Sequence, residues 1–210
     1  MELRNPARRN CLSLAMLNAI RGALEGCSAD YLVLTGAGHS FCSGLDLDEL
    51  QSFGGKSEHL HKLAEIYDWL LGTRIPNLAL VRGYAVGGGV GLAACAGKVV
   101  ASTDFRARIP GGNLRDLAAI VIPSCRLRTQ GKTPADFPWF DCELNAEQAL
   151  HRGLVDQVVS LARLHEMVRS AREGTLGPEW FATPGQGLEA AARARTEIAS
   201  LAKALTGVAR

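Results

Sequence analysis

No stretch of the 210-residue sequence approaches the ~18 consecutive apolar residues that a membrane span needs. Charge of one sign is not in excess either. The 23 Lys and Arg residues stand against 21 Asp and Glu, a net charge of +2, and no basic stripe is interleaved with aromatics. Neither a membrane nor a nucleic acid is therefore expected as a partner. The six cysteines (Cys11, Cys27, Cys42, Cys95, Cys125 and Cys142) form no C-x-x-C pair and no metal-ligand spacing. Several lie in apolar runs, which points to buried reduced thiols, no bound metal and a cytoplasmic protein. His59 and His61, two apart on a helix, cannot share a face and read as solvated. Leu92 takes the third glycine position of a G-x-G-x-x-G fingerprint, and no G-x-S-x-G nucleophile turn is present. Arg8-Arg9 before the apolar run 11–20 imitate a secretion signal. Polar Asn10, Ser13 and Asn18 interrupt that run, while Leu14, Leu17, Ile20 and Leu24 recur at helical spacing. The pattern predicts an amphipathic helix capped by Ser13.

Glycine, by contrast, is concentrated. In Arg82-Gly-Tyr-Ala-Val-Gly-Gly-Gly-Val-Gly91 five of ten residues are glycine, between an apolar run at 78–81 and a small apolar run at 92–96 that reads as a buried helix. Such a turn either lets backbone approach a ligand at a helix N-terminus or simply packs strand against helix. A second glycine turn, Gly36 to Gly44, follows a predicted strand at 31–35. A short helix is expected near 46–52, broken by Gly54-Gly55. A helix capped by Ser57 follows, with the apolar face Leu60, Leu63, Tyr67, Leu70 and Leu71. With a further strand at 98–101, these separations predict βαβ units and a parallel sheet, whose ligands sit at the C-terminal strand ends. Both glycine turns leave from such ends.

From 108 to 140 the pattern weakens. Four of the eight prolines fall there, and Arg126, Arg128 and Lys132 read as a basic patch in an irregular, partly exposed stretch. Asn145-Ala-Glu-Gln148 predicts a capping box, followed by a strand within 154–159 and helices at about 161–173 and 187–206.

Five stretches, in order, carry a resemblance. Asn5-Pro-Ala-Arg-Arg-Asn-Cys-Leu12 resembles N-R-P-x-x-R-N-A-L. Leu32-Val-Leu-Thr-Gly-Ala-Gly38 with Ser40-Phe-Cys-Ser-Gly-Leu-Asp-Leu47 resembles L-T-G-x-G-x-x-F-x-A-G-x-D-L. The run 82–91 resembles N-G-x-A-x-G-G-G, the run 101–110 resembles A-x-x-D-A-x-F-x-x-P, and 145–159 resembles S-A-E-E-A-x-x-x-G-L-V-D-x-V-V. The chain is similar to the crotonase superfamily, the enoyl-CoA hydratase/isomerase family. The resemblance implies an α/β fold, a ββα spiral with a parallel sheet core over 1–160, and a C-terminal helical region at 161–210 in the same fold unit. It implies a homotrimer or hexamer acting on an acyl-CoA or carrier-bound thioester, with coenzyme A part of the substrate and no permanently bound cofactor. It assigns the oxyanion-hole N–H groups to Leu45 and Gly88. Ligand contacts are implied at Gly44, Gly87 and the backbone around Cys11, Ser43, Asp46 and Leu47.

Departures from the pattern matter as much. The two hydratase glutamates fall at Gly91 and Gly111, so both carboxylates are missing. A positioned acid or base is worth about 10²–10⁴ in rate, and losing two argues against ordinary hydration. Asp116, five residues past Gly111, is a candidate replacement or else part of a solvated loop with Arg115. The family's leading strands are expected to be missing. Two readings stay open: an enolate-stabilising enzyme such as a decarboxylase or isomerase, or a thioester-binding accessory subunit.

Overall fold

The computed structural model describes residues 1–52, 56–129, 132–134, 136–183 and 188–206. In chain order these form β1 (Glu2–Leu3), α1 (Leu14–Glu25), β2 (Leu32–Gly36), α2 (Leu47–Ser52), α3 (Lys56–Gly72), β3 (Asn77–Val81), β4 (Tyr84–Val86) and α4 (Gly88–Ala94). Then come β5 (Lys98–Ser102), β6 (Arg106–Arg108), α5 (Arg115–Ala118), α6 (Ile122–Arg128), β7 (Glu143–Asn145), α7 (Ala146–His151), β8 (Gln157–Val159), α8 (Leu161–Glu173) and α9 (Leu188–Thr206).

Five strands make a wholly parallel sheet in the order β1-β2-β3-β5-β8. Its middle strand β3 is buried at every residue because both faces are covered. Leu78 and Leu80 pack with Leu164, Met167 and Val168 of α8, while Ala79 and Val81 belong to the larger core with α1, α3 and α4. A second sheet, β4-β6-β7, pairs β4 with β6 in parallel and β6 with β7 antiparallel. Strand, short strand and helix recur as β3-β4-α4 and as β5-β6 followed by α5 and α6, the ββα spiral that the resemblance implies.

Ser13 caps α1 through its hydroxyl, and Asn145 and Gln148 close the capping box that starts α7. The expected break at Gly54-Gly55 and residue 187 lie outside the described residues, as does the side chain of Ser57, the expected cap, whose backbone is in α3. α9 packs across α3 and is fixed there by a two-pronged Arg195–Asp68 pair at 2.6 and 2.9 Å. No described helix is long and apolar enough to cross a membrane.

Four expectations need correction. A leading strand is present, because Glu2–Leu3 pairs with β2. The stretch 108–140 is largely helical between 115 and 128, with Ile120, Val121 and Cys125 in the core. Pro123 stands in the first turn of α6, where its missing N–H costs nothing. Arg128 belongs to no surface patch: its side chain is 8% exposed, pairs with Asp156 and donates to the Leu154 and Ala96 carbonyls. His59 is not solvated but buried, with Nε2 2.8 Å from a Glu49 carboxylate oxygen that also accepts the Leu14 N–H.

The core thiols give the fold a calculable alkaline limit. Burial pushes Cys42 and Cys125 up to about 12 from an ordinary 9.0, and raises Cys95 too. Below pH 9 these thiols are protonated whether the chain is folded or not, and their contribution is complete. Above pH 9 the unfolded chain loses protons that the folded one keeps. Stability then falls by up to ~1.4 kcal/mol per pH unit for each thiol, until the folded values near 12 are reached. Urea midpoints are expected to match at pH 7 and 8 and to drop clearly by pH 10, with a smaller drop in Cys42→Ala. Equal midpoints at pH 7 and 10 would contradict this.

Candidate active site

Two chain segments meet at the β4 edge of the small sheet. After β2 the backbone of 41–44 runs alongside β4: Cys42 N–H donates to Tyr84 O at 3.1 Å, and Val86 N–H donates to Cys42 O at 2.9 Å. Gly44 then bonds to the N-terminal segment, its carbonyl accepting from Leu12 N–H at 2.8 Å. Gly44 has φ +86°, and a Cβ there would lie 2.7 Å from Val86 O and 3.5 Å from Gly88 N. The two turns touch at this point, and only glycine permits the approach. Gly87, at φ +48°, donates its N–H to Arg108 O at 2.9 Å, which ties the second turn to β6. Gly88 opens α4, so the glycine run is itself the first turn of the helix rather than a linker before it. Among the described residues neither the Leu45 nor the Gly88 N–H has an acceptor.

Both residues line one cavity of about 400 Å³. Leu63, Leu117, Ala118 and Ile120 make its apolar wall, and Arg9, Arg108 and Glu143 bring the charge. Val86, Arg108 and Glu143 are register partners across β4, β6 and β7, and so share one face. The Glu143 side chain makes no hydrogen bond or ion pair with a described residue, whereas Arg108 has Asp141 3.7 Å away. No cluster of metal-ligating side chains occurs among the described residues.

Of the residues singled out in the sequence, Ser43, Gly44, Leu45, Leu47, Gly87 and Gly88 line the cavity together. Cys11 and Asp46 do not; both are buried outside the lining. The Asp46 carboxylate is fully buried, grips Arg8 at 2.6 and 3.1 Å and accepts the Asp48 N–H at the start of α2. Burial, then the adjacent Asp46, raises the Cys11 thiol, which donates to that carboxylate. Asp116 is exposed on α5 and lies outside the lining, whereas Leu117 and Ala118 of the same helix face in. Glu143, which does line the cavity, had no motif to mark it. Its only trace is a three-residue alternation with buried Leu144 just ahead of the capping box.

The positions where the resemblance puts glutamates are not open space. A Cβ at Gly91 would sit 2.1 Å from the Tyr67 hydroxyl oxygen. Tyr67 is completely buried and donates to Gly88 O at 2.7 Å; burial holds its phenol well above the usual range, so it stays a donor. A Cβ at Gly111 would meet an Asp141 carboxylate oxygen at 2.1 Å, and Asp141 also accepts the Gly111 N–H at 2.9 Å.

The profile described as enoyl-CoA hydratase/isomerase matches residues 1–205. The chain belongs to this family. The mouse enoyl-CoA hydratase domain-containing protein 3, mitochondrial, is 30% identical over 179 residues, which are 81% of this chain and 60% of that one. The chain spans about three fifths of the length of the vertebrate relatives it matches. Two crystal structures share the family fold. The human enoyl-CoA hydratase domain-containing protein 3 has a TM-score of 0.64 at 22% identity, over 95% of this chain and 85% of that one. An enoyl-CoA hydratase/isomerase from Xanthobacter autotrophicus has a TM-score of 0.68 at 22% identity, over 98% and 76%. In this family member, four of the five motif stretches reach the cavity, through Arg9, Ser43 to Leu45 with Leu47, Val86 to Gly88, and Arg108 with Pro110.

Proposed function

We propose that the protein binds an acyl-CoA or carrier-bound thioester in this cavity and stabilises its enolate. The observation that carries the proposal is the convergence of two unpartnered backbone donors, Leu45 and Gly88, on one largely apolar space. A thioester oxygen between them gains negative charge as the α-proton leaves. Fixed donors aimed at that oxygen are worth about 10²–10³ each, and the N-terminal end of α4 adds to the same field. Tyr67 and Asp141 fill the space at Gly91 and Gly111, so hydration by a pair of glutamates is not the reaction proposed. Decarboxylation or isomerisation, which need an enolate and at most one proton relay, fit the site better. A second reading, a thioester-binding accessory subunit, draws on the same two filled positions. Cytoplasmic residence and a trimer or hexamer are part of the proposal, the assembly to be read by analytical ultracentrifugation.

Acetoacetyl-CoA tests the central claim without requiring turnover, because its enolate has its own ultraviolet absorption. Titration at pH 7 is expected to raise that band to saturation, since the donor pair favours the ionised form. Binding without the band would leave the accessory reading and sink the catalytic one.

A further inference from the structure

Resting on that thioester reading, we infer that Glu143 is the catalytic base and acid of this site. A carboxylate is needed near the α-carbon, and the candidates reduce quickly. Gly91 and Gly111 carry no side chain. Tyr67 is buried away from the cavity, with its hydroxyl committed to the Gly88 carbonyl. Asp141 accepts the Gly111 N–H, lies by Arg108 and is outside the lining. Asp116 is outside it as well. Glu143 alone among these carboxylates lines the cavity, and its side chain has no hydrogen-bond or ion-pair partner among the described residues.

Its placement suits the chemistry. Glu143 sits two strands from Val86 in the same register row, roughly 10 Å between backbones. Val86 immediately precedes the turn that carries the Gly88 N–H. A glutamate side chain reaching back along the sheet and an acyl chain reaching out from the donors meet within that span. The Glu143 carboxylate takes the α-proton. The C–H electron pair becomes the Cα=C bond of the enolate, and the carbonyl pair moves to the oxygen held by Leu45 and Gly88. Reversal returns the proton to the same carbon, or to another carbon of a conjugated chain. Glu143 thus supplies from β7 what the family pattern supplies from positions 91 and 111.

The test separates donor pair from base. Wild type and Glu143→Gln are compared by the acetoacetyl-CoA enolate band and by exchange of the butyryl-CoA α-protons into D₂O, followed by NMR. Glu143→Gln is expected to keep the band within about twofold and to lose about 10²-fold or more in exchange, with part of it restored by Glu143→Asp. Undiminished exchange in Glu143→Gln overturns the assignment. So does a wild type that shows the band and no exchange, or an equal loss in Asp116→Asn. Loss of band and exchange together in Glu143→Gln would show a structural role and overturn it too. Absence of the band in wild type brings down the enolate-stabilising reading itself, a different failure.

Discussion

Gly91→Glu is expected to cost the protein more than about 4 kcal/mol of stability and to produce no hydratase. The new Cβ would lie 2.1 Å from the Tyr67 hydroxyl oxygen, 2.4 Å from Cζ and 2.8 Å from Cε2. The ring cannot step aside, because Tyr67 is completely buried and every residue of α4 is buried around it. Displacing it would also break the bond to Gly88 O and leave a carboxylate in the core, so overpacking and desolvation add. Tyr67→Ala destabilises too, by leaving a cavity of the kind that costs about 3–5 kcal/mol for large aromatics. Since one substitution vacates the volume that the other fills, the double variant is expected to be more stable than Gly91→Glu alone. Urea denaturation of the four proteins measures that coupling. Simple additivity of the two losses, or crotonyl-CoA hydration by Gly91→Glu, would refute this account.

Gly44→Ala is expected to weaken the site far more than the fold. At φ +86° an L residue is strained, and its Cβ would press on Val86 O at 2.7 Å, which is backbone and cannot rotate away. Relief requires the 43–45 segment to withdraw from the second turn, and the Leu45 N–H moves with it. A displacement near 1 Å costs about 10²-fold in a positioned reaction. The enolate band of bound acetoacetyl-CoA should fall about that far, while stability drops by only ~2 kcal/mol. Gly22→Ala is the matching control. A Cβ at Gly22, inside α1, meets nothing within 4 Å, so it should gain about 0.5–1 kcal/mol and leave the band unchanged. An intact band in Gly44→Ala would mean that the donors do not depend on this contact.

Local signals were legible in the sequence wherever one segment decides its own conformation. Ser13 before a helical repeat, the Asn145–Gln148 box, and the apolar run of β3 each predict the element that forms. The pairing of the two glycine turns was also readable, because close backbone approach demands glycine at both. What could not be read depends on partners far along the chain. β4 is three residues long with Tyr84 exposed, too short to show an alternation. The burial of Arg128 is compensated by Asp156 and two carbonyls, and that of His59 by Glu49; none of these adjoins it in sequence. Proline density made 108–140 look irregular, although Pro123 starts a helix. At the site, the sequence exposes the loss of side chains at 91 and 111. That Tyr67 and Asp141 fill those spaces, and that Glu143 faces the cavity, follows only from the fold.

The hydrogen bond from Gly87 to Arg108 bears on when the site can exist during synthesis. The Leu45 and Gly88 donors are complete as covalent chain once residue 88 has left the ribosome. Their geometry is not, because the second turn is held by a carbonyl that emerges twenty residues later. The pairing of Arg108 with Glu143 postpones the opposite wall by another thirty-five. Chains that stall or are cut before β7 can build the parallel strands β1, β2, β3 and β5 and still lack a working pocket. On the proposed thioester reading, a captured enolate would mark a chain whose synthesis has passed β7.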